Sequence, residues 1–246
     1  MHRRPPTPLA LAIPAATILT AASVAQDGPP STPSTSASYA VLARDPLTGE
    51  YGVAAASHAP LIGLNLEFLD PDAGGVLVLG GPYLEINDKA LIALRDGLPP
   101  GRAIAVGLVG DPDPEARQLL ALSPSGAAAF TGKNLPEHAG HAAGDNFVVA
   151  GHHLASETVI PAIQEAFSAS DGPLADRLLA GLQAGRDAGG EEGGTHSAAL
   201  LVVGPGARFA TRHRLVDLRI DFVPGDAVAA LAELRARIDS VYGSIR

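Results

Sequence analysis

Two short apolar runs, 39–43 (YAVLA) and 51–56 (YGVAAA), flank the segment Asp45-Pro46-Leu47-Thr48-Gly49. With Asp, Pro and Gly at turn-forming places, the pair reads as a β-hairpin. Centring the loop on Leu47 and Thr48 sets residues whose numbers sum to about 95 face to face, so Ser38 lies opposite Ser57 with His58 beside it. A slip of one residue would exchange which of Ser57 and His58 shares a face with Ser38. Further short apolar runs at 75–79, 118–122, 127–130, 147–150, 198–203 and 215–220 bring the expectation to about eight strands.

Helical spacing marks four other segments. Leu84, Leu91, Leu94 and Leu98 define one, and Val159, Ile160, Ile163 and Phe167 follow a Ser156 cap. Asp171-Gly172-Pro173 opens a third, with Leu174, Leu178 and Leu182 on one face and Gly189-Gly190 closing it. The last, 226–242, carries Val228, Leu231, Leu234, Ile238 and Val241, with Arg235 and Arg237 toward its C-terminal half, where cations suit the helix dipole. Residues 99–109 fit helix or strand. Strands and helices come in blocks rather than strict alternation, which favours an α+β architecture over a doubly wound parallel sheet.

The N-terminus has its own logic. Residues 1–25 combine Arg3 and Arg4, an apolar stretch from Leu9 to about Ala22, and small residues at Ser23 and Ala25. That is the pattern of a secretory signal peptide, too short and too Pro-interrupted for a bilayer span, so the mature protein is expected in the periplasm or outside the cell, off the membrane. Residues 26–37 (QDGPPSTPSTSA) read as a solvated Pro/Ser/Thr tether, leaving 38–246 as one domain. At 46% hydrophobic and 17% charged the 246-residue chain has material for a folded core. Its net charge of −9 disfavours nucleic acid, and Cys 0 excludes disulfides, thiolate metal sites and a cysteine nucleophile.

The segment SYAVLARDPLTGEYGVAAASH, 38–58, resembles the opening of the domain of unknown function 1028 family. The likeness continues through Ala139-Gly140-His141, Phe147-Val148-Val149-Ala150-Gly151, Gly172-Pro173-Leu174-Ala175, 197–203 and 216–221, so it covers nearly all of 38–238. That family is grouped with the N-terminal-nucleophile hydrolases. The resemblance therefore implies a four-layer αββα sandwich, two antiparallel sheets flanked by helices, and an amide substrate attacked by the first residue left after a cut. Ser38 stands where the family has its leading Thr. In such chemistry one residue supplies both the hydroxyl and, with an α-amine of pKa about 7.7–8.0, the base. Sandwiches of this kind often pair, which makes a homodimer an expected assembly.

Three polar positions depart from the family pattern: His58 replaces Lys, His152 replaces Asn and His196 replaces Gln. Together with Ser38 and Ser57 they form the candidate catalytic set. Within hydrogen-bond reach, His58 would activate Ser38 without a free amine. Alternatively His58, His152 and His196 would suit a catalytic zinc, the one cofactor considered. His138, His141, Asp145, His152 and His153 lie in HAGHAAGDNFVVAGHH, where loose spacing favours solvated or capping roles over metal ligation. Arg44-Asp45 and Asp217, Arg219 and Asp221 read as turn and sheet-edge charges, and Gly193-Gly194-Thr195 lacks the helix entrance of a phosphate loop. Three readings stand: an exported amide hydrolase, a silent binding module on the same scaffold, and a His-based metal enzyme.

Overall fold

The structure is a computed structural model that describes residues 37–80, 83–136, 138–205 and 214–243. The leader and all of the tether except Ala37 lie outside the described residues. Among the described residues ten strands form two antiparallel sheets. The six-stranded sheet contains β1 (Ser38–Arg44), β2 (Tyr51–Ser57), β7 (Gly140–Ala143), β8 (Phe147–His152), β9 (Ser197–Val203) and β10 (Arg214–Ile220), in the order β10-β9-β2-β1-β8-β7. The four-stranded sheet runs β3 (Leu69–Asp70), β4 (Gly74–Leu79), β5 (Gln118–Ser123) and β6 (Gly126–Thr131).

Side-chain alternation separates three cores. From β1, Tyr39, Val41 and Ala43 point toward α3 (Val159–Ala169), α4 (Leu174–Asp187) and α5 (Ala227–Tyr242). Ala40 and Leu42 point the other way, into an inter-sheet core shared with Leu77, Leu79, Leu120 and Leu122. Beyond the smaller sheet, Val76, Val78, Leu119 and Ala121 pack on α1 (Leu84–Arg95) and α2 (Pro100–Gly107). The layers are thus helices, sheet, sheet, helices: the expected αββα sandwich. Strands buried on both faces carry no polar alternation, which is why YAVLA and SAALLVV read as continuous apolar runs. None of the described helices is long and apolar enough to cross a membrane.

Local chemistry explains most boundaries. Asp45 Oδ1 accepts from the Leu47 and Thr48 N–H groups at 2.8 and 3.3 Å, closing the β1–β2 turn. Asp226 caps α5 through Ala229 N–H at 2.9 Å. The ambiguous 99–109 segment contains the helix α2, begun by Pro100 at its first position, where a missing N–H costs nothing. At α3 the cap differs from expectation: Thr158 holds the N-cap position, and Ser156 bonds Thr158 instead of capping the helix. Gly74 is a fixed point of the second sheet. Its φ is +144°, and a Cβ there would lie 2.1 Å from the Leu122 carbonyl oxygen. Gly74→Ala is therefore expected to destabilise the protein by about 3 kcal/mol or more, read as a lowered denaturant midpoint at unchanged slope. An unchanged midpoint would show that β4 and β5 can part at no cost.

Candidate functional site

The β1–β2 register is the one the turn implies: Ser38 pairs with Ser57, and on the other side of β1 Ser38 pairs with His152. Ser57 in turn pairs with Ser197 of β9. Four polar residues therefore lie in one row across four strands. By alternation with Ala40, Ala55, Ala150 and Ala199 they belong to the face turned toward the second sheet, at its edge rather than in its dry middle.

The centre of this row is the peptide bond between Ala37 and Ser38. Ala37 is fully buried, and Ser38 and Ser57 are each 1% exposed. The Ala37 carbonyl oxygen accepts from Ser57 Oγ at 2.8 Å and from the His58 N–H at 3.3 Å. Ser38 Oγ lies 2.6 Å from that same oxygen and 2.9 Å from Ser57 Oγ. Ser57 Oγ also accepts from the Ala59 N–H at 3.1 Å, which fixes its rotamer. Ser197 is committed elsewhere, donating to the Ala59 carbonyl at 2.6 Å and accepting from the Ile62 N–H at 3.2 Å.

The three histidines divide. His58 turns from Ser38 toward the loop before β9, where its Nδ1–H donates to the Gly194 carbonyl at 3.0 Å. Its ring packs on His196 at 4.8 Å, and His196 donates through Nδ1 to the Val223 carbonyl at 3.0 Å while touching Phe222. His152 stands apart on the opposite flank of Ser38. Its Nδ1 lies 3.2 Å from Gln118 Oε1, and the Gln118 amide is oriented by the three acceptors that share its two Nε2 hydrogens, the carbonyls of Gly151 and Gly140 and Thr131 Oγ1, each at 2.9–3.0 Å. Gln118 thus joins β5 of one sheet to β7 and β8 of the other. Among the described residues no group of three or more His, Asp or Glu side chains could hold a metal ion.

The remaining candidates are dispersed. His141 bonds Thr131 Oγ1 at 2.8 Å, His153 pairs with Glu192 at 2.8 Å, and His138 is exposed with a left-handed backbone. Asp145 lines a cavity of about 510 Å³ with Arg44, Phe147, Phe167 and Arg177. That cavity sits at the far end of β1, roughly 20 Å along the strand from Ser38. Arg219 and Arg214 share Glu67 and Asp217 in a solvent-facing network, in keeping with sheet-edge charge.

One titratable residue at the site escaped the sequence reading. Glu191 lies in a loop with left-handed glycines at 189, 190, 193 and 194, is 4% exposed, and has no hydrogen-bond partner for either carboxyl oxygen. The His58 N–H and the Thr195 hydroxyl are its nearby donors, but neither reaches full hydrogen-bonding geometry. Burial outweighs them and pushes the Glu191 carboxyl up to about 8. The signal in the sequence is the GGEEGG pattern, in which paired glycines let the chain double back and carry a side chain inward.

This shift has a sign. The unfolded chain ionises Glu191 near its ordinary value of 4.5, whereas the folded chain holds the proton to about 8. The resulting contribution to stability is fully present below pH 4.5 and lost as the pH climbs through 8. Its size is on the order of 5 kcal/mol. Glu191→Gln, a neutral isostere, is expected to flatten the fall in denaturant midpoint between pH 5 and 9. Equal slopes for the two proteins would show the carboxyl to be ionised or solvated.

With this geometry in view, comparison with known proteins places the chain. Residues 38–231 match the model of the "Family of unknown function (DUF1028)". The chain belongs to this family. The matched span starts on Ser38, the first residue of β1, and ends inside α5. The fold is also that of the crystal structure of protein SPO2555 from Silicibacter pomeroyi, which carries the same family designation. The two share 33% identity over 82% of this chain and 89% of that one, with a TM-score of 0.74. No curated protein matches. Membership of the DUF1028 family fixes the scaffold and names no chemistry.

Proposed function

We propose that this DUF1028 protein is an exported amide hydrolase of the N-terminal-nucleophile type, made active by a cut between Ala37 and Ser38. The single observation that carries this reading is the Ala37 carbonyl. Its oxygen accepts from Ser57 Oγ at 2.8 Å and from the His58 N–H at 3.3 Å, and the Ser38 hydroxyl, 2.6 Å away, also donates to it. Donors fixed where negative charge develops are what an acyl-transfer transition state requires.

The chemistry follows from that arrangement. Ser38 Oγ attacks the Ala37 carbonyl carbon. Its proton passes to Ser57 Oγ, which hands its own proton to the carbonyl oxygen. When the tetrahedral carbon collapses, the C–N bond breaks, the proton returns to the Ser38 nitrogen and an ester links Ala37 to Ser38 Oγ. Water then hydrolyses that ester. What remains is a chain beginning at Ser38, with a primary amine beside its own hydroxyl, able to act as base near neutral pH. Substrate amides would then repeat the acyl transfer in the space Ala37 leaves.

Nucleophile activation by His58 has no geometric support, since the ring is held on Gly194 and His196. The test is intact-mass measurement of the exported protein. A chain beginning at Ser38 is the expected product. A stable chain beginning at Gln26 would overturn the reading and leave the silent-module alternative, because Ser38 would stay buried behind Ala37.

A further inference from the structure

We propose that Glu191 is the counter-ion of the α-ammonium group that the cut creates at Ser38, and so sets the pH at which the Ser38 amine becomes a base. This rests on the hydrolase reading above and goes beyond it to a residue with no part in the cut.

The geometry comes first. The loop that carries Glu191 packs on the end of β2: the Gly194 carbonyl accepts from His58 Nδ1–H at 3.0 Å, a Cβ at Gly193 would lie 3.0 Å from the His58 ring, and His196 N–H donates to the Ser57 carbonyl at 2.9 Å, so the carboxyl is carried beside the residue whose N–H holds the Ala37 carbonyl. In the uncut chain that carboxyl is walled in, with both oxygens unpartnered. A buried acid in this position stays protonated or acquires a cation, since an isolated buried carboxylate is costly.

Among the described residues no side chain supplies the cation. The hydroxyl of Tyr39 faces Glu191 from β1, the His58 backbone from the end of β2, and Thr195 from its own loop. Glu192, the adjoining acid, is engaged with His153. Arg186 of α4 is close enough to act on Tyr39, but it is held by Asp187 at 2.7 Å and by Asp226, before α5, at 3.5 Å. The uncut protein thus holds an acid with no base. The cut supplies one: Ala37 leaves, the His58 N–H loses its carbonyl partner, and a primary amine appears at Ser38. The amine lone pair takes the proton from the Glu191 carboxyl, leaving an ammonium and a carboxylate side by side. The pair then titrates as a unit, the carboxyl moving down and the amine up. Glu191 acts through the amine it pairs with, by setting the amine's charge.

The test compares carboxyl carbon-13 titrations of Glu191 in the cut wild-type protein and in the uncut Ser38→Ala chain, with the α-amine of Ser38 followed by nitrogen-15 resonance. Glu191 is expected to titrate at least one pH unit lower after the cut, so that its ratio of ionised to neutral form is at least tenfold higher at any given pH. The Ser38 amine is expected to titrate about one unit lower in Glu191→Gln than in the wild type. Identical Glu191 titrations before and after the cut would overturn the proposal, as would an amine indifferent to Glu191→Gln. If that variant fails to fold, the cut-against-uncut comparison decides alone. A wild-type chain that is never cut removes this proposal and the hydrolase reading together, whereas a cut chain with an unmoved Glu191 removes this one only.

Discussion

Ser38→Ala is expected to leave the sandwich folded, the chain uncut and acyl transfer lost entirely. The variant deletes the hydroxyl that attacks in the proposed step and that would carry the ester, so the acyl transfer has no nucleophile. The structural loss is small. Ser57 Oγ keeps the Ala37 carbonyl as its acceptor and the Ala59 N–H as its donor, so no buried polar group of the row is orphaned. The cost should be about 1 kcal/mol, visible as a slight fall in denaturant midpoint. Ser38→Thr should still be cut, because it retains a hydroxyl on the same carbon. Intact mass after prolonged incubation separates the cases, and a Ser38→Ala chain that still begins at residue 38 would assign the cut to an outside protease.

Ser57→Ala is expected to slow the cut roughly 100- to 1,000-fold without abolishing it, the usual effect of removing one oxyanion donor. Apart from the attacking hydroxyl of Ser38 itself, the Ala37 oxygen would retain the His58 N–H, its longest donor, at 3.3 Å. The proton path from Ser38 would be interrupted as well, since Ser57 Oγ bridges the attacking hydroxyl and the carbonyl oxygen. The signature is kinetic: accumulation of uncut chain in a pulse–chase, followed by slow conversion to the same product. A cut at the wild-type rate would show that Ser57 only fills space.

Much of this architecture is legible in the chain because its signals are local. The Asp45–Gly49 turn marks the hairpin, and centring it on Leu47 and Thr48 gives the observed pairing of Ser38 with Ser57, but the register itself is decided by the folded strands, since a slip of one residue is open to the sequence. Helices with periodic leucines declare themselves in the same way. β3 is missed because two residues make no pattern, and β7, GHAA, because glycine and histidine disguise an edge strand. Ala37 reads as the end of a tether, yet it is buried, since what buries it is the convergence of Ser57 and His58 from the neighbouring strand end. The histidines at the three altered positions look equivalent in sequence. In space His58 and His196 touch while His152 lies across β1, because the order β9-β2-β1-β8 interleaves strands distant in the chain. Gln118 and Glu191 carry no motif at all, and their placement comes only from tertiary structure.

Gln118 has a mechanical consequence. A single buried amide spans the gap between the two sheets beside Ser38, holding Gly140, Gly151 and His152 on one side and Thr131 on the other. The sandwich cannot hinge open there to admit a bulky guest without tearing several bonds at once. One side chain therefore limits how far the two sheets can part at the edge where Ser38 lies, and that edge is stiffer than its share of small residues would suggest.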